Sequence, residues 1–75
     1  MMREATFREM ADWISALEAN DERRLQPIVH MASGKTFACA RLGLSGHRVT
    51  LHLADGKRIR ADVESVEAIE VPHVD

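Results

Sequence analysis

Residues 48–63, RVTLHLADGKRIRADV, constrain what this chain can fold into more than any other stretch. Two alternating runs flank the turn signal Ala54-Asp55-Gly56. Asp-Gly between alternating apolar residues is a strong local signal for a β-hairpin. The loop length follows from the need to keep one face apolar. A two-residue Asp-Gly loop pairs Leu53 with Arg58 and mixes apolar and charged residues. A three-residue loop, with Gly56 in the left-handed region, pairs Leu53 with Lys57, Leu51 with Ile59 and Val49 with Ala61. His52 then faces Arg58, Thr50 faces Arg60 and Arg48 faces Asp62 on the other side. This second register separates the faces and is the expected one. The Arg48–Asp62 pair is expected to add a modest cross-strand attraction.

Upstream, Thr6-Phe7-Arg8-Glu9 reads as a capping box. The threonine oxygen accepts the Glu9 N–H and the glutamate reaches back to the cap. Phe7, Met10, Ala11, Ile14 and Leu17 follow at helical spacing. A helix over 6–19 is expected, with Trp13 at the margin of its apolar stripe. Asn20-Asp21-Glu22 serves as its stop and as a linker.

Residues 24–31 read as extended, and Pro27 within them argues for an edge or first-strand position. Ala32-Ser33-Gly34-Lys35 is a turn. A second strand is expected over 36–42, and Gly43-Leu44-Ser45-Gly46 reads as a loop. The hairpin strands cover 47–54 and 57–63. A break at Glu64-Ser65 precedes a last strand over 66–71, which Pro72 ends. Residues 1–75 are expected to form a single small α+β domain. One N-terminal helix and about five short antiparallel strands suit a small Sm-like or SH3-like barrel, or a strongly curved sheet. The helix would cap an open end or lie across one face.

Two fragments, LQPI at 25–28 and LHLADGKRIRADV at 51–63, resemble pieces of the Rho-antitermination inhibitor family. That resemblance implies an Sm-like barrel. The acidic helix expected between such pieces is absent here, so membership does not follow.

A chain of 75 residues buries only ~60% of its unfolded surface, so its core is marginal. Domains of this size usually need a disulfide, a metal or a partner. Cys39 is the single cysteine, which removes an intrachain disulfide. Self-association gains weight by elimination. No apolar run is long enough to span a bilayer. The opening MMREATFREM lacks the apolar core of a signal peptide. A cytoplasmic location is the expectation.

The net charge of −2 conceals a strong asymmetry. Residues 1–26 carry −2, residues 27–60 carry +5 and residues 61–75 carry −5. The middle segment contributes Lys35, Arg41, Arg48, Lys57, Arg58 and Arg60 against Asp55 alone. A basic stripe is the footprint of a nucleic-acid binder, but such domains usually have a high pI. Here the pI is about 6.0.

Chemical motifs are weak. Ser33-Gly34-Lys35-Thr36 has the end of a phosphate loop, but Val29 stands where the first glycine is required. His47 and His52 are five residues apart in an extended run and project to opposite sides, which does not suit a shared metal ion. Cys39 lies among small residues with no base beside it, as expected of a buried structural thiol. No catalytic residue, metal ligand or cofactor is expected, and the chain reads as non-enzymatic. It also lacks a small-molecule substrate signature and a membrane-binding one.

Two surfaces remain. The basic hairpin face of Arg48, His52, Arg58 and Arg60 is the candidate macromolecule-binding site. The helix residues Met10, Trp13 and Leu17 are a candidate interface. The expected function is a small regulatory binding protein, an adaptor or inhibitor acting by protein–protein contact or self-association. The alternative is a nucleic-acid-binding barrel using the basic face. No tyrosine, two phenylalanines and one tryptophan leave few stacking platforms for single strands.

Overall fold

The computed structural model describes residues 1–21 and 24–72. Glu22 of the expected linker and His73 lie outside the described residues. Helix α1 spans Glu4–Asp21. Strands β1 (Ile28–Met31), β2 (Thr36–Ser45), β3 (Arg48–Leu53), β4 (Arg58–Asp62) and β5 (Val66–Glu70) follow, with a 3-10 turn at Val63–Ser65 between the last two. All pairings are antiparallel, and the order across the sheet is β4-β3-β2-β1-β5.

The helix begins one turn before the expected cap. The Phe7 N–H donates to the Arg3 carbonyl at 3.0 Å, so Thr6 already lies inside the helix and caps nothing. Glu4 sits in the first turn, where a negative charge favours the N-terminal end of the helix dipole. Phe7 and Ile14 are buried, and Met10 and Ala11 pack partly against the core. Near the other end, a Glu18 carboxylate oxygen accepts the Leu25 N–H at 2.8 Å and ties the helix to the incoming strand segment.

Strand β1 is shorter than expected, because Pro27 precedes it. The strand is central, paired to both β2 and β5, which corrects the edge placement. Pro27 is tolerated because only its carbonyl is used, accepting the Cys39 N–H at 2.9 Å. Strand β2 is longer than expected and runs through Gly43, Leu44 and Ser45. The turn that follows is confined to Gly46 and His47, with Ser45 opposite Arg48. The β3–β4 register is the one read from the sequence: Leu51 opposite Ile59, Val49 opposite Ala61, His52 opposite Arg58. Gly56 takes φ +95° and donates its N–H to the Leu53 carbonyl, a conformation that glycine adopts without strain.

The sheet is open. Its two edges, β4 and β5, do not pair with each other, so the closed barrel is not formed. The Asp62 carboxylate accepts the Glu64 N–H at 2.9 Å, and the Val63 N–H donates to the His47 carbonyl at 2.7 Å. These bonds turn the chain out of the β4 line and onto β1. The curvature, by contrast, is required. Five flat strands would separate the edges by ~19 Å, and a 3-10 turn rises only ~2 Å per residue. Three turn residues can join β4 to β5 only if the sheet coils. Two irregularities bend it, one between His30 and Met31 in the β1–β5 pairing and one between Cys39 and Arg41 in β2.

The helix packs on the apolar face. Phe7 and Ile14 join Val29, Cys39, Val49, Leu51, Val63, Val66 and Ile69 in one buried cluster. Ser33-Gly34-Lys35 is the β1–β2 turn, closed by bonds from Met31 to Lys35 and from Gly34 to Met31. It is not a phosphate cradle.

Candidate functional site

The polar face of the sheet is set by the β2 irregularity. Phe37 and Cys39 point toward the core, and simple alternation would send Arg41 the same way. The extra residue Ala40 shifts the phase, so Leu42 faces Leu51 while Arg41 faces His52. His52 in turn faces Arg58. Arg41, His52 and Arg58 therefore form one row across three strands on the outer face. Gly43, Thr50 and Arg60 form the next row, and Ser45, Arg48 and Asp62 the third.

Five cationic or protonatable side chains thus share a surface three strands wide. Arg41, Arg48, Arg58 and Arg60 are exposed and His52 is half-buried. Among the described residues, no ion pair engages these four arginines. The Arg48–Asp62 attraction expected from their register is not realised as an ion pair. The Asp62 carboxylate caps the 3-10 turn instead. Gly43 contributes no side chain to the middle row, and an open depression of about 730 Å³ lies alongside, lined by Ser45, Arg48, Thr50, Arg60 and Asp62 among others.

No phenylalanine or tryptophan lies on these three rows. Phe7 is in the core and Phe37 packs partly against it. Trp13 is on the helix, 53% exposed. Of the candidate helix interface, Met10 packs against the core, Leu17 is half-buried and Trp13 alone is substantially exposed. Arg41 shares a small cleft with Ala11, Ile14, Ser15 and Glu18 of the helix, which none of that trio lines.

The other protonatable groups serve as ties. His30 Nε2 and a Glu70 carboxylate oxygen are 3.0 Å apart across β1 and β5. His47, in the β2–β3 turn, pairs through Nδ1 with Glu4 at the start of the helix. The N-terminal amine pairs with Glu67 at 3.2 Å. Cys39 is buried, and burial pushes its thiol up from 9.0 to about 11, so a reactive thiolate is disfavoured at neutral pH.

Arg41 belongs to the site and sequence alternation misses it. The available signal is the phase change itself. Phe37 and Cys39 are apolar at odd positions, whereas Leu42 and Leu44 are apolar at even ones. Such a switch within one strand marks a bulge.

Comparison with family models, with curated proteins and with solved structures finds no match. Among the described residues, no helix is long and apolar enough to cross a membrane.

Proposed function

We propose that this chain is a non-enzymatic regulatory binding protein that docks an acidic surface of a partner protein on its cationic sheet face. The observation that carries the reading is the uninterrupted row Arg41–His52–Arg58, flanked by Arg48 and Arg60 and without an ion pair to any described carboxylate. Exposed, unneutralised arginines carry a fixed fork of donors that matches carboxylates and phosphates. Two features favour a protein over a nucleic acid. Apart from the half-buried His52 imidazole, the rows hold no aromatic platform for bases. The patch is also bounded, with acidic β5 residues Glu67 and Glu70 beyond it on the other edge strand, which suits a discrete acidic patch better than a continuous polyanion.

The architecture assigned with this function is a small barrel of the Sm-like or SH3-like type, left open between β4 and β5. Its support is the strand order, the preceding helix and the short 3-10 link that forces the sheet to coil. A cytoplasmic location accompanies the proposal, supported by a lone, buried, unreactive thiol.

The test is a fluorescence-anisotropy titration with a labelled acidic peptide. The expected result is saturable binding that weakens as salt is raised, and that is lost in Arg41→Glu/Arg48→Glu with the circular-dichroism spectrum unchanged. Binding that the double variant leaves intact would overturn the assignment.

A further inference from the structure

We infer that the depression between Arg48 and Arg60 is a phosphomonoester site, and that it receives a phosphorylated serine or threonine on an exposed, extended segment of the partner protein. That partner is the one already read from the cationic face, so the site rests on that reading. Strand pairing places the donors. The Leu53 N–H donates to the Lys57 carbonyl, and the Val63 N–H to the His47 carbonyl. Those pairs are hydrogen-bonded, and by alternation so are Leu51–Ile59 and Val49–Ala61. Thr50–Arg60 is therefore a non-hydrogen-bonded pair, the closer kind, with Cα atoms ~4.5 Å apart. Arg48 lies two residues before Thr50 on the same face of β3, ~7 Å away. The half-buried Thr50 thus forms a floor between two exposed arginines. Ser45, opposite Arg48 on β2, adds a second hydroxyl at the rim.

Among the described residues, neither arginine has an ion-pair partner and neither hydroxyl hydrogen-bonds to another residue. A carboxylate offers two oxygens and one charge, enough for a single guanidinium fork. A phosphomonoester offers three oxygens and a charge of about −1.5 to −2 at pH 7. Two forks and the Thr50 hydroxyl can bond to it together. The lining also limits how many phosphates fit. Asp62 closes the depression beside Arg48, with its carboxylate accepting the Glu64 N–H at 2.9 Å. His47, also on the lining, is paired with Glu4. One dianion fits between Arg48 and Arg60, and a second phosphate past it would meet Asp62. The site therefore suits an isolated monoester rather than a chain of diesters.

The neighbouring row sets what flanks the phosphorylated residue. Arg41, His52 and Arg58 lie one side-chain repeat from Thr50 and Arg60, ~7 Å along the strands. An extended partner segment advances the same distance in two residues. With its phosphate above Thr50 and its chain running along β3, such a segment carries the residue two positions away over Arg41, His52 and Arg58. An aspartate or glutamate there completes the charge match. Gly43 puts no side chain in the way. The open depression of about 730 Å³ has room for the phosphorylated side chain and the main chain on either side of it. The pattern recognised is a phosphoserine or phosphothreonine with an acidic residue two positions away.

The experiment is fluorescence anisotropy on the full chain with three labelled peptides: Glu-Ala-pSer-Ala-Glu, and the same sequence with plain serine or glutamate at the centre. The phosphopeptide is expected to bind at least about tenfold tighter than the glutamate peptide, and the serine peptide weakest. Thr50→Val removes the hydroxyl and keeps the β-branched shape. Arg60→Lys keeps the charge and removes the fork. Each is expected to cut the preference for phosphate over glutamate severalfold, with wild-type circular dichroism and with affinity for the glutamate peptide held within about twofold. Equal affinity for the phosphopeptide and the glutamate peptide, both lost in Arg41→Glu/Arg48→Glu, would overturn the phosphate site and leave the acidic-partner reading standing. Failure of all three peptides to bind would overturn both. A preference that survives Thr50→Val and Arg60→Lys would put the phosphate elsewhere and overturn the site. Displacement of the phosphopeptide by inorganic phosphate at equal concentration would reduce the ligand to the free anion. Displacement by a single-stranded oligonucleotide at equal phosphate concentration would give the face to nucleic acid. Either displacement overturns the inference.

Discussion

Leu51 lies directly opposite Ile59 across the β3–β4 hairpin, on the side of the sheet that the helix covers. Leu51 has no exposed surface, while the neighbouring Arg60 stands on the outer face in solvent. The two positions should respond very differently to truncation. Leu51→Ala is expected to cost ~2–5 kcal/mol, the range for a fully buried leucine whose neighbours only partly collapse. Arg60→Ala is expected to cost under ~0.5 kcal/mol. Urea unfolding of both variants checks this, and similar losses would contradict the face assignment.

That hairpin was legible in the sequence because every determinant of it is local. Asp55-Gly56 supplies the turn, and only one register keeps Val49, Leu51, Ile59 and Ala61 together. The long β2 strand was less legible. Gly43 and Ser45 look like loop residues, but they lie on the outer face, where small polar residues cost little. Strand order was not legible at all. Which edge β5 joins depends on the 3-10 turn and on curvature, and both arise from contacts distant in sequence. Of the candidate site, Arg48, His52, Arg58 and Arg60 could be read from alternation, whereas Arg41 required the bulge at Ala40.

Thr6 illustrates a local motif overruled by its surroundings. The sequence offers Thr6 and Glu9 as a capping box, yet the helix starts at Glu4 and leaves Thr6 as an exposed position within its first turn. Loss of a true cap would cost ~1 kcal/mol. Past the cap, alanine is instead favoured over threonine, by at most the interior-helix difference of about 0.7 kcal/mol. Thr6→Ala is therefore expected to leave stability unchanged or to raise it slightly. Thermal unfolding of the variant decides the point, and a clear fall in the midpoint would restore the cap.

Cys39 predicts a specific pH dependence. Burial raises its thiol from 9.0 to about 11 in the folded chain. In the unfolded chain the thiol ionises near its ordinary value. Below that value both states hold the proton and the group contributes its full stability. As pH rises from about 9 to about 11, the unfolded state releases the proton first, so stability falls across that window. The loss is at most about 2–3 kcal/mol, and Cys39→Ala should lack this part of the decline. The same burial should make alkylation of the native thiol at pH ~8 slower than that of the unfolded chain by ~100-fold. Equal rates would show that Cys39 is accessible.

Salt dependence separates an acidic protein partner from a nucleic acid. A duplex bound through Arg41, Arg48, Arg58 and Arg60 would release counterions in proportion to the phosphates neutralised. The log–log slope of affinity against salt would then be near −0.9 per contact, and removing one arginine would reduce its magnitude by ~1. The surroundings of the face oppose that mode. Asp62 sits at the end of the arginine rows, Glu64 follows in the 3-10 turn, and Glu67 and Glu70 line the strand beyond, so a phosphate backbone extending past the patch meets carboxylates. A partner protein can end where the patch ends. Generic DNA and RNA are therefore expected to bind no tighter than ~10⁻⁴ M at physiological salt. Micromolar binding to an oligonucleotide, abolished by Arg58→Glu with the fold intact and accompanied by the unit change in slope for Arg60→Ala, would replace the protein partner by a nucleic acid on the same face.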